Sequence, residues 1–442
     1  MGYFLQSCEP AASRGGICAV MTPAARLQAA IEILEGLRES RMPADRFIRD
    51  YFRARRYAGS KDRAAVSARV YDIFRHRASY AWRMQSETPR ALAIASVLAE
   101  QGAVDSLFTG GPYAPAPLSD AERAVILAPA RELPSHVTGE YPEFLESELR
   151  RAFGSRLPDE MAALQQRAPI DLRVNTLKAH RDDVLAALKA EGFDAQAGRH
   201  APTAIRVSSG ARGLERTRLF LDGAFEFQDE AAQTACILSG ASSGMRVLDL
   251  AAGAGGKSLA LAALMRNVGE IVAQDIDAGR LAQIGARAAR AGVTIIRSSC
   301  PVYGGGAAHG ATEGAFDLVF VDAPCSGSGT WRRQPENKWR LTPERLAELK
   351  AAQDLLLDEA AARVKPGGRL VYATCSILPC ENEDRIRFFL ERHPGFQIRA
   401  AADAWAQAQA SPAPPGVAEF FVATPFSTGT DGFFTAAFSR VR

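Results

Sequence analysis

The fold is decided by the stretch Val247-Leu248-Asp249-Leu250-Ala251-Ala252-Gly253-Ala254-Gly255-Gly256-Lys257. A short apolar run passes into small residues and three glycines, which is typical of a buried strand that turns into a helix. A glycine turn at this place lets backbone amides approach a ligand closely where the helix begins. The stretch therefore predicts an α/β domain that binds a nucleotide-type ligand after its first strand.

Three ligand classes compete for this loop. A phosphate-binding Walker loop requires glycine at position 251, where Ala251 stands, and a dinucleotide fingerprint that begins at Gly253 requires glycine where Ser258 stands. S-adenosylmethionine needs close backbone approach but has no pyrophosphate to bind, so it fits the loop better. Asp275 ends the predicted second strand, at the spacing of an acidic residue that binds ribose hydroxyls. A tight turn without any ligand remains the alternative for the loop taken alone.

The composition is that of an ordinary globular protein with two or three domains. The 442 residues are 47% hydrophobic and 23% charged, and the formal charge of +3 is too small to indicate a partner. Seven cysteines without regular spacing argue against a disulfide framework and predict a reducing cytoplasm. No Cys/His cluster has zinc-binding spacing, so we expect no metal.

No targeting or membrane segment is predicted. No apolar run approaches the roughly 20 residues of a membrane helix. The first 20 residues lack both the basic start and the apolar stretch of a signal peptide. We expect residues 1–20 to be a disordered extension or a misassigned start.

The N-terminal part has a helical pattern from Pro23 to about Leu133, with apolar residues at three- and four-residue spacing. Its middle is basic and interleaved with aromatic residues. This pattern suits RNA phosphates, or equally a solvated face over an aromatic core. The basic residues are Arg41, Arg46, Arg49, Arg53, Arg55, Arg56, Lys61, Arg63, Arg69, Arg75, Arg77 and Arg83, against Asp45, Asp50, Asp62 and Asp72.

A linker at 134–142 precedes a short α+β stretch, and from Ala231 strands alternate with helices. This alternation predicts a mostly parallel sheet with helices on both faces. The clearest helix runs from about Pro343 to Val364 with Thr342 as its N-cap, and residues 401–416 resemble a loop or insertion. The predicted strands of the sheet are Arg246–Leu250, Glu270–Gln274, Thr294–Arg297, Phe316–Val321, Arg369–Ala373 and Phe433–Phe438.

Two cysteines follow strands of this sheet, Cys325 in Asp322-Ala323-Pro324-Cys325-Ser326-Gly327 and Cys375 in Thr374-Cys375-Ser376. A thiolate that adds to carbon 6 of cytosine makes carbon 5 nucleophilic enough to attack an electrophilic methyl group. A second thiol can assist release of the product, and a carboxylate near ring nitrogen 3 stabilises the developing charge. The remaining cysteines are interpreted as small core residues: Cys8, Cys18, Cys236, Cys300 and Cys380.

Over most of its length the chain resembles the Sun/Fmu (RsmB-like) group of RNA cytosine-5 methyltransferases. The order and spacing of several short motifs carry the resemblance. They are Arg173-Val174-Asn175-Thr176-Leu177-Lys178, Phe227-Gln228-Asp229-Glu230, Asp249–Lys257, Asp322–Gly329, Arg332-Arg333, Lys338-Trp339, Thr374-Cys375-Ser376, Glu381-Asn382-Glu383 and Asp431-Gly432-Phe433-Phe434.

The resemblance implies roles for individual residues. Cys375 would be the nucleophile, Cys325 would help to release the product, and Asp322 would contact the base near the methyl donor. Arg332, Arg333 and Lys338 would meet RNA phosphates, with a charged surface loop as the alternative. S-adenosylmethionine would be held by Ala251, Ala252, Gly253, Ala254, Gly255, Gly256, Lys257 and Asp275, together with Asp322.

The resemblance also implies the domain order and the substrate. We expect an extension at 1–20, an all-α NusB-like RNA-binding domain at 21–138, a small α+β subdomain at 139–228 and a Rossmann-like methyltransferase domain at 229–442. The substrate would be RNA, namely an unstacked cytosine of small-subunit (16S) ribosomal RNA, and we expect a monomer. A DNA methyltransferase that uses Cys325 as nucleophile and a non-catalytic RNA-binding assembly factor are the alternatives.

Two positions depart from the family pattern. Ala254 stands where the family usually has proline, which predicts a less rigid loop. Many members also carry an acidic residue soon after the third strand, near the adenine, but no Asp or Glu occurs between Val293 and Thr312. We therefore expect backbone groups or neutral side chains to recognise the adenine.

Overall fold

The structure is a computed structural model that describes residues 21–209, 212–300, 314–408 and 412–441. The chain divides into two compact units, one ending at Pro134 and the other beginning at Ser135. The predicted extension at 1–20 lies outside the described residues. Within the described part, no helix combines the length and the apolar character that crossing a membrane would require.

The first unit is all-α in its described part. Its first helix begins at an N-cap, Thr22, whose hydroxyl accepts a hydrogen bond from the Ala25 amide at 3.1 Å. Leu27, Ile31 and Leu34 lie on one face of this helix and are buried, as their spacing predicts. The helices are α1 (Pro23–Glu39), α2 (Ala44–Arg53), α3 (Ser60–Arg75), α4 (Arg77–Met84), α5 (Pro89–Ala99), α6 (Val104–Leu107) and α7 (Asp120–Leu127).

The second unit begins with a small α+β part. Its four-stranded antiparallel sheet has the order β2-β3-β1-β4, and the inward side chains of these strands form a separate hydrophobic core. The elements are α8 (Ser135–Thr138), α9 (Glu146–Phe153), α10 (Leu157–Gln165), β1 (Ile170–Val174), α11 (Arg181–Ala190), β2 (Asp194–Ala197), β3 (Ala204–Ser209), α12 (Arg218–Leu221) and β4 (Phe225–Phe227).

The rest of the second unit is a Rossmann-like α/β fold, as predicted. The path β10-β12-β9-β8-β5-β6-β7 is parallel from β9 to β7, and β12 runs antiparallel to β9, β10 and β11. Its strands are β5 (Arg246–Leu250), β6 (Glu270–Gln274), β7 (Ile296–Ser299), β8 (Phe316–Asp322), β9 (Val364–Thr374), β10 (Phe396–Arg399), β11 (Phe421–Ala423) and β12 (Phe433–Arg440). Its helices are α13 (Glu230–Leu238), α14 (Gly256–Leu264), α15 (Ala278–Ala291), α16 (Pro335–Arg340), α17 (Pro343–Arg363), α18 (Glu383–Arg392) and α19 (Ala401–Gln407).

The predicted N-cap of α17 is confirmed, because the Thr342 hydroxyl accepts a hydrogen bond from the Arg345 amide at 3.2 Å. The loop predicted at 401–416 is wrong in its first half, where α19 buries Ala401, Ala404 and Trp405 at helical spacing. Residues 409–411 of that prediction lie outside the described residues. Strands β10 and β11 were not predicted.

The parallel order brings the carboxyl ends of β5, β6, β8 and β9 to one edge of the sheet. Each of these ends is followed by one of the motifs singled out in the sequence. Ligands of open α/β sheets bind outside this edge. It is therefore the place where the candidate residues are expected to meet.

Candidate active site

The two predicted thiols lie together at this edge. Cys325 follows β8 and Cys375 follows β9, and these strands are parallel neighbours in which Asp322 pairs with Ala373. The Ala323 amide donates to the Ala373 carbonyl at 2.9 Å, which continues the pairing beyond the strand. The two sulfur atoms are 3.4 Å apart and partly buried. One contact therefore joins the two residues predicted to act as nucleophile and as release group.

The pKa of the Cys325 thiol is raised by its surroundings. The hydrogen bond with Cys375, burial and the negative charges of Cys375 and Glu381 together hold its pKa well above the usual range of a thiol. Two thiolates at this distance would repel each other. The arrangement therefore disfavours loss of the proton from Cys325 while Cys375 is charged.

Two glycines allow a third chain segment to reach Cys375. The Gly329 amide donates to the Cys375 carbonyl at 2.9 Å, and the Gly432 amide donates to the Gly329 carbonyl at 2.9 Å. A side chain on Gly329 would collide with the backbone of Gly432. The backbone of the loop after Cys325 thus packs directly against the backbone of the segment before β12. This close approach leaves no room for a side chain at position 329, so glycine is required there.

Lys257 and Asp322 form an ion pair next to the thiols. Lys257 Nζ lies 2.6 Å from Asp322 Oδ2, at the first turn of α14 and the end of β8. Burial acts to lower the pKa of Lys257. The nearby negative charges, of which Asp322 is the largest, have the greater effect, so the pKa of the lysine is raised. The pair orients the Asp322 carboxylate at the same edge as both sulfur atoms.

The glycine loop after β5 has the shape that a cofactor of this class requires. Gly253 and Gly255 have φ of +57° and +79°, and Gly255 caps α14 in the left-handed conformation. Asp275 Oδ2 accepts a hydrogen bond from the Gly253 amide at 2.7 Å, and Oδ1 accepts one from the Asp277 amide at 2.8 Å. A carboxylate has roughly four acceptor positions, so Asp275 can still accept from ribose hydroxyls. The residues present fit S-adenosylmethionine.

The loop is held from outside by two arginines that the sequence analysis did not assign. Arg287 Nη1 donates to the Ala254 carbonyl at 2.7 Å, and Arg173 Nη1 donates to the Gly256 carbonyl at 2.8 Å. Ala251 has φ of +72°, which is strained for a residue other than glycine and typical of functional loops. The hydrogen bond from Arg287 to the Ala254 carbonyl restrains the loop at the position where the family usually has proline.

A buried aspartate lies beneath this loop. Asp249 is fully buried in β5, and burial raises its pKa to about 6, although the Ser258 hydroxyl donates a hydrogen bond to it at 2.5 Å. Cys236 and Cys380 are buried as predicted, and burial raises the pKa of each thiol to about 12. The prediction of a core position is wrong for Cys300, which follows the edge strand β7 and is exposed, while Cys8 and Cys18 lie outside the described residues. Most of the segment after β7, where the adenine was expected, lies outside the described residues.

The three basic residues predicted to meet RNA phosphates lie in a different setting. Arg332 is 4% exposed and its Nε lies 2.6 Å from Asp431 Oδ1. Arg333 pairs with Asp431 and with Asp229 Oδ2, the latter at 2.9 Å. Lys338 is 4% exposed and lies over the Trp339 ring. These side chains have a structural role in the described chain, and an RNA contact from them stays a prediction.

Other functional residues were missed because their partners are distant in sequence. Arg173, Asp229, Glu381 and Asp431 occur in motifs that the resemblance singled out, but no local pattern assigned a role to any of them. The motifs themselves were the available signal. Each of these side chains joins two segments that lie tens to hundreds of residues apart.

Two family models match parts of the second unit. The chain matches the family model of the 16S rRNA methyltransferase RsmB/F over residues 236–439, and that of the RsmF/B-like ferredoxin-like domain over residues 141–212. "Probable ribosomal RNA small subunit methyltransferase B" of Bacillus subtilis (strain 168) is 32% identical over 314 residues, which cover 71% of this chain and 68% of that protein. Ribosomal RNA small subunit methyltransferase B of Salmonella paratyphi B is 34% identical over 67% of this chain and 65% of that protein.

A solved structure extends the likeness to nearly the whole chain. The crystal structure of PH0851 superposes with a TM-score of 0.74 at 25% identity and covers 95% of this chain and 99% of its own. The chain spans about two thirds of the length of the curated relatives. It belongs to the RsmB/F family of S-adenosylmethionine-dependent 16S rRNA methyltransferases.

Proposed function

We propose that this protein methylates carbon 5 of an unstacked cytosine in 16S ribosomal RNA through a covalent adduct with Cys375. The observation that carries the proposal is the sulfur–sulfur distance of 3.4 Å between Cys375 and Cys325. The Lys257–Asp322 pair lies at the same edge, next to a loop that fits the methyl donor. A structural core thiol would need neither the second sulfur nor the ion pair.

The first step uses Cys375 as the nucleophile. Cys375 Sγ adds to carbon 6 of the cytosine, and Asp322 shares a proton with ring nitrogen 3, which neutralises the negative charge that develops there as the ring loses its aromatic character. When bound, S-adenosylmethionine supplies the electrophilic methyl group that carbon 5 attacks. The residues that would hold it are Ala251–Lys257, Asp275 and Asp322.

The second step uses the change in charge that the first step produces. Once Cys375 is bonded to carbon 6, it no longer carries the charge or accepts the hydrogen bond that most strongly raises the Cys325 pKa. The pKa of Cys325 then falls, so that this thiol can release its proton to solvent and the resulting thiolate can take the proton from carbon 5. Expulsion of Cys375 from carbon 6 restores the aromatic ring and the free enzyme. Both thiols have to stay reduced, which fits the predicted cytoplasmic location.

The decisive experiment is methyl transfer with identification of the product. We expect the purified protein to transfer labelled methyl groups to unmethylated 16S ribosomal RNA, and the label to appear as 5-methylcytidine after nuclease digestion and mass spectrometry. Label in another nucleoside, or in DNA under the same conditions, would contradict the proposal. Naked RNA and partly assembled small subunits should be compared, because the cytosine must be accessible in single-stranded form.

We also propose that the helical first unit is a NusB-like domain that binds RNA through its exposed cations. Arg41, Arg46, Arg56 and Lys61 are exposed, and no ion pair to them is found within the described residues. The Tyr57 side chain among them is 56% exposed, which offers a ring for base stacking. Other cations of the predicted basic stretch, such as Arg69, pair with carboxylates.

Charge reversal tests this RNA surface. We expect Arg46→Glu, Arg56→Glu and Lys61→Glu, combined in one protein, to weaken RNA binding strongly. The slope of log K against log salt should become shallower by about 2, since each lost phosphate contact contributes about 0.7 to 0.9. Filter binding at several salt concentrations measures both quantities. Arg123→Gln is the control, because Arg123 already pairs with Asp105 and should contribute little to the salt slope. An unchanged salt slope in the triple variant would contradict the proposal that these cations bind RNA.

A further inference from the structure

A buried carboxylate lies behind both thiols and takes no part in the steps described above. Glu381 is fully buried in the short helical turn Pro379–Glu381. Four donors reach its two oxygen atoms. The Ser326 amide and Gln353 Nε2 donate to Oε1 at 2.8 and 3.0 Å, and the hydroxyls of Ser326 and Ser376 both donate to Oε2 at 2.5 Å. Because every partner is a donor, the four hydrogen bonds suit the charged form of the carboxylate.

The partners of Glu381 are the residues that directly follow the two cysteines. Ser326 comes after Cys325 and Ser376 comes after Cys375, so one carboxylate joins the two loops at equivalent positions. Ser328 strengthens the junction, because its hydroxyl lies 3.1 Å from both serine hydroxyls. All of these hydroxyls are buried, so water does not compete for the bonds.

The next residue holds the Cys375 side of this junction. Asn382 Nδ2 donates to the Ser376 carbonyl at 3.0 Å, and Asn382 Oδ1 accepts from the Thr374 hydroxyl at 2.6 Å. The two contacts lie on either side of Cys375. With its neighbours fixed in this way, the Cys375 backbone cannot move away from Cys325 without breaking buried hydrogen bonds.

We propose that Glu381 is a positioning residue for both thiols, which fixes the distance between them and makes the Cys325 sulfur a stronger base for the proton on carbon 5. Its charge persists after Cys375 has become bonded to the cytosine, whereas the charge of Cys375 does not. Cys375 and, inside β9, Tyr372 also face Cys325, and the Lys257–Asp322 ion pair lies at the same edge of the sheet. The part of the proposal that concerns carbon 5 rests on the proposed function, while the part that concerns the thiols does not.

The first experiment measures the thiol itself. In a Cys375→Ser background, the rate of Cys325 alkylation by iodoacetamide is followed against pH, with the modified peptide identified by mass spectrometry. We expect Glu381→Gln to lower the midpoint of this profile by about one pH unit, because a nearby negative charge has been removed. Glu383→Gln, the same substitution at an exposed position two residues later, should leave the midpoint unchanged. An unchanged midpoint in Glu381→Gln would overturn the proposal whatever the protein methylates.

The second experiment measures turnover. We expect Glu381→Gln to lower kcat about 100-fold, since displacement of reacting groups by 1 Å has effects of this size, with cofactor affinity and KM for RNA unchanged. A protein–RNA adduct that survives denaturation should accumulate, because release is slowed. Ser326→Ala keeps the charge and removes one of the four hydrogen bonds to Glu381, together with the hydroxyl contacts to Ser328 and Ser376, so it should lower kcat less and leave the alkylation midpoint in place. If Glu381→Gln instead lowers both the cofactor affinity and the melting temperature and accumulates no adduct, Glu381 has a merely structural role and the proposal is contradicted.

Discussion

Cys375→Ala is expected to lose methyl transfer by at least about 1,000-fold and to form no covalent complex with RNA. The physical reason is that the substituted protein has no sulfur at position 375 to add to carbon 6 of the cytosine. Cys325 cannot replace it, because the hydrogen bonds after β9 fix the position of residue 375 and those after β8 fix the position of residue 325. Labelled methyl transfer and denaturing gels with labelled RNA measure the two results.

The control for this prediction is the same substitution at a core thiol. Cys236→Ala removes a buried sulfur from α13 that is not part of the Cys325–Cys375 contact, and should retain activity within about twofold. Cofactor affinity of Cys375→Ala should equal that of the unsubstituted protein, which separates lost chemistry from lost folding. If Cys375→Ala still forms adduct while Cys325→Ala forms none, the nucleophile is Cys325, as in the alternative of a DNA-type mechanism.

The parts of the fold that could be predicted are those that neighbouring residues determine. The run from Val247 to Lys257 contains its own strand, turn and helix start, and the structure has them at these residues. The meeting of Cys325 with Cys375 followed from two strand ends of one parallel sheet, whereas the contact of 3.4 Å depends on side-chain packing and could not be predicted.

The elements that were missed lack a local signal. Strand β10 has only four residues, and α19 lies in an alanine-rich stretch whose only large buried side chain is Trp405. Such segments acquire their structure from the sheet and helices that they pack against. Their own pattern therefore resembled a loop.

Arg332 and Arg333 show why the partners of charged residues could not be predicted from the sequence. Two adjacent arginines after a catalytic loop predict an exposed basic surface, since charged side chains are seldom buried without partners. Their partners are Asp229 and Asp431, which lie about 100 residues away in either direction. Only the folded chain brings these carboxylates to the loop, so the ion network could not be inferred from spacing.

Cys325→Ala is expected to have the opposite signature from Cys375→Ala, namely an adduct that accumulates. Cys375 can still add to carbon 6 and carbon 5 can still take up the methyl group, but the base that removes the proton from carbon 5 is absent. Loss of a general base slows a step by about 100- to 10,000-fold, so the enzyme should remain bonded to methylated RNA. The raised pKa of Cys325 in the free enzyme supports this order, because two of its causes, the hydrogen bond with Cys375 and the charge of Cys375, are absent once Cys375 is bonded to the base.

The measurement is a time course of adduct and of free methylated RNA under single-turnover conditions. In Cys325→Ala the label should appear first in the denaturation-resistant complex and only slowly in free RNA, and raising the pH should speed this release, since hydroxide can then act as the base. The double variant Cys325→Ala/Cys375→Ala is the control and should form no complex. Rapid release of methylated RNA from Cys325→Ala would show that another group removes the proton, and the sulfur at 3.4 Å would then serve only to hold the nucleophile in place.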